Sequence, residues 1–458
     1  MSQINPAIFR AYDIRGIVRQ DLTPQAVEKI GQAFATEALQ KDCNTVVIGR
    51  DGRIHSGLLS SALAKGLQKG GCDVIDVGQV PTPVLYFATY ALKTGTGIMV
   101  TGSHNPPEYN GLKMLMAEKT LYGDDIQNLQ QRILDDQLNQ GKGLYREQPI
   151  LADYVQRILD DVKLDRPLKI AVDCGNGVAG VVAGELFRKL GCEVTELFCD
   201  VDGSFPNHHP DPSKLENLQD LCNTIEAQQL DLGLAFDGDG DRVGIVDDSL
   251  KVIWPDRQMI LYAEDVLSRN PGAQIIYDIK SSYHLGKAIA SMGGEPLMWK
   301  TGHSFIKAKM QETGALLAGE MSGHIFFKER WFGFDDGLYS AARMLEILSH
   351  KNQKASQVFA ELPDSFNTPE LQIHFNEGEH YAFMEKFKQQ ADFGDADISS
   401  IDGMRVTWDK GWGLIRPSNT TPCLVLRFEA DDEACLQQLQ DTFRDQIQKI
   451  DSTINIPF

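Results

Sequence analysis

One pattern recurs three times along this chain of 458 residues, and it constrains the fold more than any other feature. Each copy runs apolar stretch, helical stretch, glycine, second apolar stretch, helical stretch, third apolar stretch. The first copy opens on TVVIG (45–49), passes a helical stretch (57–69) and Gly70–Gly71, continues into CDVIDVG (72–78) and ends on GTGIMV (95–100). The second uses LKIAVD (168–173), VVAGELFRKL (181–190), Gly191, CEVTELF (192–198) and LDLGLAF (230–236). The third uses IIYDI (275–279), HLGKAIASM (284–292), Gly293–Gly294, EPLMW (295–299) and ALLAG (315–319). Short apolar runs bounded by glycine and alternating with helical periodicity predict βαβ units, hence mainly parallel sheets with helices on both faces. The period is about 100 residues, too long for a solenoid repeat.

From about residue 364 the character changes. ELQIHF (370–375), a helix at 380–390, MRVTWDKGWGLIRPS (404–418), CLVLRFEA (423–430) and a final helix (432–450) place strands in succession. Consecutive strands predict an antiparallel sheet of the α+β kind. The expected fold class is therefore α/β: three related mixed α/β domains around a central cleft plus a C-terminal α+β domain. The expected domains are 1–148, 149–252, 253–363 and 364–458.

In open α/β sheets ligands bind beyond the carboxyl ends of strands. Each repeat places its least ordinary polar loop there: TGSHNP (101–106), DGDGDR (237–242) and GEMSGH (319–324). A fourth, RPSNTTP (416–422), lies in the last segment. Four such loops on four units can line one cleft.

Asp237, Asp239 and Asp241 alternate with glycines that let the backbone turn all three carboxylates toward one cation. Such oxygen ligands suit Mg²⁺ or Ca²⁺. The loop is not an EF-hand, because Arg242 stands where that loop needs glycine and the flanks read as strands. Ser103, with His104 beside it, offers a nucleophile of the phosphoenzyme kind, and a phosphoserine would add oxygens to the aspartate site. It lacks the G-x-S-x-G elbow of esterases. Arg416, Ser418, Asn419 and Thr420 combine a guanidinium, hydroxyls, an amide and turn N–H groups into a phosphate cradle. Glu320, Ser322 and His324 alternate, a spacing that suits vicinal sugar hydroxyls. Read singly, each of the last three loops is also an ordinary capped turn.

Gly175-Asn-Gly177-Val-Ala-Gly180 matches the dinucleotide pattern, with Glu193 and Glu196 about twenty residues on, but those acids fall near the start of the second strand rather than its end. A tight βα turn is the expected reading. The histidines 208 and 209 are expected in an exposed loop, without a role.

The balance of 44 Lys and Arg against 64 Asp and Glu gives a net charge of −20. Nucleic-acid binding needs a basic footprint and is excluded as a first reading, whereas a small anionic substrate is not. No run of about 18 apolar residues is present, so no membrane partner is expected. Eight cysteines are scattered without C-x-x-C or zinc spacing. They read as reduced thiols of a cytoplasmic protein.

YDIRG (12–16), TGSHNP, GLK (111–113), DGDGDR, GEMSGH and RPSNTTP occur in one order across the whole chain. Together they resemble the α-D-phosphohexomutase superfamily, and GEMSGH resembles its phosphomannomutase/phosphoglucomutase subgroup. The resemblance implies reversible phosphoryl transfer between C1 and C6 of a hexose phosphate. Mannose is the expected sugar, with glucose alongside it, and a hexose 1,6-bisphosphate is the intermediate and activator. It implies Ser103 as phosphoserine, and Mg²⁺ held by Ser103, Asp237, Asp239 and Asp241. Catalytic roles fall to Ser103, Arg15, His104, Lys113 and His303. Substrate contacts fall to Tyr12, Arg242, Lys280, Glu320, Ser322, His324, Arg416, Ser418, Asn419 and Thr420. The partner is a small phosphosugar; oligomeric state is not read. The alternatives are a phosphoglucosamine mutase, whose subgroup typically carries Gln where this chain has Met321, a non-catalytic sugar-phosphate sensor, and a Mg²⁺-dependent phosphatase.

Overall fold

The computed structural model describes residues 4–376, 378–418 and 421–458. Four sheets follow one another along the chain. The first three share one core order. In the first, Gly97–Val100 and Asp73–Gln79 flank Thr45–Arg50 in parallel. In the second, Leu232–Phe236 and Glu193–Leu197 flank Lys169–Asp173. In the third, Leu317–Gly319 and Glu295–Trp299 flank Gln274–Asp278. The internal repeat is thus a repeat of topology, third–first–second.

The sheets are mixed rather than mainly parallel, which corrects the sequence expectation. Each third strand is followed by an antiparallel neighbour: Tyr109–Met116, Val243–Asp247 and Ile325–Phe327. Of these, only the second was legible as a strand. The consequence matters for function. TGSHNP, DGDGDR and GEMSGH are hairpin connections, each held at both ends by paired strands rather than running off into a helix.

The helices end as their residues dictate. Thr23 caps Pro24–Gln40 by accepting from the Ala26 amide, and Gly71 and Gly191 close helices with φ of 105° and 103°. The predicted helix 181–190 is split at Val182: a 3₁₀ turn, Val178–Val181, precedes Ala183–Leu190. The last sheet is antiparallel throughout, as expected, with Glu379–Gln390 and Glu433–Ile450 covering it.

One apolar core runs through the first three units. It joins Tyr86 and Phe87 to Tyr154, Phe187 and Phe236, and on to Trp331 and Tyr339. The last unit has a core of its own around Phe387, Phe393, Phe428 and Phe443. Among the described residues, no helix is long and apolar enough to cross a membrane.

Candidate active site

Ser103 sits at φ 49°, a left-handed conformation that costs a non-glycine residue about 1–2 kcal/mol. The loop around it is held accordingly. The buried Arg53 guanidinium donates to the carbonyl oxygens of Ser103 (2.8 Å), Asn105 (2.6 Å), Pro106 (2.6 Å) and Tyr109 (3.1 Å). Asp51 accepts from the Gly102 amide at 3.0 Å and pairs with Arg53. Neither residue was identified from sequence; GRDGR (49–53) ends a strand with two arginines and an aspartate, and that was the available signal. The Ser103 Oγ lies 3.1 Å from His104 Nδ1 and donates to Asp237 Oδ2 at 3.2 Å. The serine loop and the aspartate loop therefore meet. Gly238 permits this, because a Cβ there would lie 2.3 Å from the Ser103 carbonyl oxygen.

Asp237, Asp239 and Asp241 are wholly buried, and ligand atoms from all three lie within 4.8 Å of one another. Lys113 donates to Asp239 Oδ2 at 2.7 Å and also contacts Asp241 Oδ2. Thr82 donates to Asp239 Oδ2 at 2.5 Å, and Arg242 Nε donates to Asp237 Oδ2 at 3.1 Å. The Oδ1 atoms of Asp239 and Asp241 are buried without a hydrogen-bond partner among the described residues. Burial, aided by the neighbouring carboxylates, pushes the Asp237 carboxyl up to about 7 despite Arg242. Asp239 moves the other way, because Lys113 outweighs its burial. Crowded hard oxygen donors, two of them unpartnered, fit a divalent cation of the Mg²⁺ or Ca²⁺ type.

The two histidines of the third unit complete this group. His303 and His324 stack with ring centroids 5.4 Å apart, and His324 Nδ1 lies 3.6 Å from Asp241 Oδ1. Burial, with the Lys307 charge, holds His303 well below the usual imidazole value. Burial and the charges of Arg242 and Arg15 do the same to His104. For His324 burial is outweighed by Asp241 and Asp335, so its value rises. Among the described residues, Arg15 donates to Asp13 at 3.1 Å.

A second group forms around the last unit. Lys280 donates to Glu370 at 2.6 Å and Arg416 to Asp402 at 3.0 Å, both cations nearly fully buried. Ser418 Oγ lies 3.0 Å from Thr421 Oγ1. Asn419 and Thr420 lie outside the described residues. Glu320 accepts from the Gly302 amide and from Ser322 Oγ at 3.3 Å.

The segment Thr301–His303 links the two groups. The Thr301 amide donates to Asp402 at 3.1 Å, Tyr12 Oη donates to the Thr301 carbonyl at 3.4 Å, and Gly302 binds Glu320. Gly302 adopts φ 134°, and a Cβ there would lie 2.9 Å from the Tyr12 ring. Only His303 of this segment was singled out from sequence. A cavity of about 720 Å³ between the first and third units is lined by Tyr86, Lys307 and Phe334 and by none of the four loops.

The histidines 208 and 209 depart from expectation. Both are half-buried: His208 Nε2 lies 3.0 Å from Asp173 Oδ2, and His209 Nε2 contacts the His104 carbonyl. His209 braces the serine loop from the second unit, and His208 stays within that unit on Asp173. The dinucleotide-like glycines are a tight turn, as expected. Gly175 donates to Asp173 at 2.8 Å, the Val178 amide donates to the Gly238 carbonyl at 3.1 Å, and Glu196 pairs with Arg188.

Residues 6–140 match the phosphoglucomutase/phosphomannomutase alpha/beta/alpha domain I family, 152–250 domain II, 254–366 domain III, and 370–446 the C-terminal domain. The chain is 53% identical over 452 residues to a phosphomannomutase/phosphoglucomutase of Pseudomonas aeruginosa, covering 99% of this chain and 98% of that protein. It is 51% identical to a phosphoglucomutase of Neisseria gonorrhoeae, covering 97% of each. A crystal structure of a phosphoglucomutase/phosphomannomutase family protein from Burkholderia thailandensis superposes with a TM-score of 0.96 at 50% identity, covering 100% of both chains. With a serine loop docked on a buried aspartate triad and all four domain families matched in order, the chain belongs to the phosphoglucomutase/phosphomannomutase family.

Proposed function

We propose that the protein is a cytoplasmic phosphomannomutase/phosphoglucomutase that moves a phosphoryl group reversibly between O1 and O6 of a hexose phosphate. The observation that carries the reading is the 3.2 Å contact of Ser103 Oγ with Asp237, inside a carboxylate triad that has two unpartnered oxygens. The functional division proposed is 1–148 for the phosphoserine loop, 149–252 for the metal loop, 253–363 for the sugar loop and 364–458 for the phosphate cradle.

In the forward step the P–O bond to Ser103 Oγ breaks as a P–O bond to the free sugar hydroxyl forms. The electron pair returns to Oγ, and the hydroxyl proton passes to a basic group of the cleft. A hexose 1,6-bisphosphate results, turns over, and returns its other phosphoryl group to Ser103. Mg²⁺, held by Asp237, Asp239, Asp241 and a phosphoserine oxygen, would neutralise the phosphoryl oxygens. Lys113, Arg15 and Arg242 bring positive charge to the same place. The neutral imidazoles of His303 and His104 are suited to proton transfer. Glu320, Ser322 and His324 would grip sugar hydroxyls, with Tyr12 beside them. Lys280, Arg416, Ser418, Asn419 and Thr420 would hold the phosphate that does not react, displacing Glu370 and Asp402 from the two cations.

The test is a coupled assay with mannose 1-phosphate, glucose 1-phosphate and glucosamine 1-phosphate, in Mg²⁺ and trace bisphosphate. Turnover of the first two is expected, with Ser103→Ala lowering it by roughly 10⁴-fold or more. Normal turnover by that variant would sink the phosphoserine route. Free phosphate released faster than isomer would indicate a phosphatase, and turnover of glucosamine 1-phosphate alone the amino-sugar mutase. Binding without turnover would indicate a sensor.

A further inference from the structure

Asp335 is wholly buried and follows the strand Ile325–Phe327, bridging back to Phe326. Its Oδ1 accepts from Lys307 Nζ at 2.8 Å. Its Oδ2 lies 3.1 Å from His324 Nδ1 and 3.7 Å from His303 Nδ1. Among the described residues, these two Nδ1 atoms and this oxygen are buried and have no hydrogen-bond partner, so the carboxylate oxygen is the polar atom each ring nitrogen faces at those distances. His303 and Lys307 lie one turn apart on the helix His303–Thr313, so one helix face delivers both to the same carboxylate.

Asp241 Oδ1, His324 Nδ1 and Asp335 Oδ2 are also close enough to surround a cation. The charges argue otherwise. Asp241 already belongs to the aspartate triad, and Lys307 neutralises Asp335 on its other oxygen. The opposed charges of Lys307, Asp335 and His324 account for the cluster without an ion.

We propose that Asp335 is a positioning residue for the phosphoryl transfer, on the mutase reading above. It fixes both imidazoles as the Nδ1–H tautomer and leaves Nε2 of each facing the sugar hydroxyls. A carboxylate behind a histidine has this effect wherever the ring must present one defined nitrogen. Lys307, held over the Tyr86 ring at 4.4 Å, locks the carboxylate from behind.

The test compares wild type with Asp335→Ala and Asp335→Asn, and repeats Asp335→Ala in a His303→Ala/His324→Ala background. Asp335→Ala is expected to lower kcat by about 10- to 100-fold with little change in KM. Asp335→Asn, which keeps an acceptor and the volume, should recover part of the loss. In the double-histidine background Asp335→Ala should cost nothing further, because the aspartate acts only through the rings. Full activity in Asp335→Ala, or an undiminished loss without the histidines, overturns the proposal. Long-range ¹H–¹⁵N spectra of the histidine rings give a readout without turnover. In their neutral form both rings should be Nδ1–H in the wild type, and Asp335→Ala should mix the tautomers. An inactive wild type with that spectrum would overturn the mutase reading while supporting the positioning. Rings already of mixed tautomer in the wild type would overturn the positioning.

Discussion

The first three units and the last are joined to the molecule in different ways. Between the first three, aromatic rings interlock: Phe87 packs on Tyr154 and Trp331 at 5.6 and 6.2 Å, and Tyr154 on Trp331 at 6.0 Å. The last unit meets the third through the small apolar cluster of Ile279, Trp412 and Leu414 and through polar links. Arg405 donates to the carbonyls of Ile279 (2.6 Å) and Ser281 (2.8 Å) while lying 3.7 Å from the Trp412 ring centroid, and Ser282 donates to Glu429 at 2.6 Å. A shared close-packed core resists sliding, whereas polar inter-domain contacts rearrange at lower cost. The serine, the aspartates, Lys113 and both histidines stand on the first arrangement, and Arg416 and Ser418 on the second. On the proposed mechanism the bond-making groups are fixed, and the grip that must accept either end of the sugar sits on the separable body.

The largest expected effect falls on the fixed body. Asp239→Asn should lower turnover by roughly 10²- to 10³-fold, and chelation should silence the wild type until Mg²⁺ is restored. Mg²⁺ should raise the thermal midpoint of the wild type and leave that of the variant unchanged. A variant that still responds would separate the aspartates from the metal. On the separable body, Arg416→Ala should raise KM by about tenfold or more with kcat nearly unchanged, since a gripping contact acts alike on ground and transition states. A matching fall in kcat would erase the contrast between the two bodies. Small-angle scattering with and without substrate tests the motion itself: a more compact particle is expected, and an unchanged profile counts against closure.

The smallest effect concerns the rear wall of the fixed body. Asp336 is wholly buried and caps the helix Gly337–Ser349, accepting from Tyr154 Oη at 2.8 Å and Trp331 Nε1 at 3.2 Å. Burial pushes its carboxyl up to about 7. The folded state therefore holds a proton that the unfolded state releases near pH 4. Stability from this group is present below about pH 4 and is lost as pH rises toward about 7, by an order of a few kcal/mol. Denaturant unfolding should find Asp336→Asn gaining on the wild type over that window, and a constant difference would contradict the burial argument.

Much of the site was legible because its loops occur together: carboxylates and glycines in DGDGDR have few structural uses, and TGSHNP, an ordinary turn when read alone, gains its meaning beside them. Three repeats of one pattern carried the fold. The antiparallel fourth strands were harder to read. Gly319, shared by ALLAG and GEMSGH, marks no turn by itself, and Ile325–Phe327 is too short to show a period. The supporting residues left no mark either. Arg53, Asp335 and Asp402 act through one side chain each, on partners distant in sequence, and only the folded chain brings those partners near.

On the proposed mechanism Ser103 is the way-station of the phosphoryl group. Protein incubated with glucose 1,6-bisphosphate, freed of it and mapped by mass spectrometry should carry one phosphoryl group, on Ser103. Rapid mixing with excess mannose 1-phosphate should then move that group to the sugar within a single turnover. Phosphate elsewhere on the chain, or a phosphoserine that persists while the sugar phosphate isomerises, would contradict the mechanism.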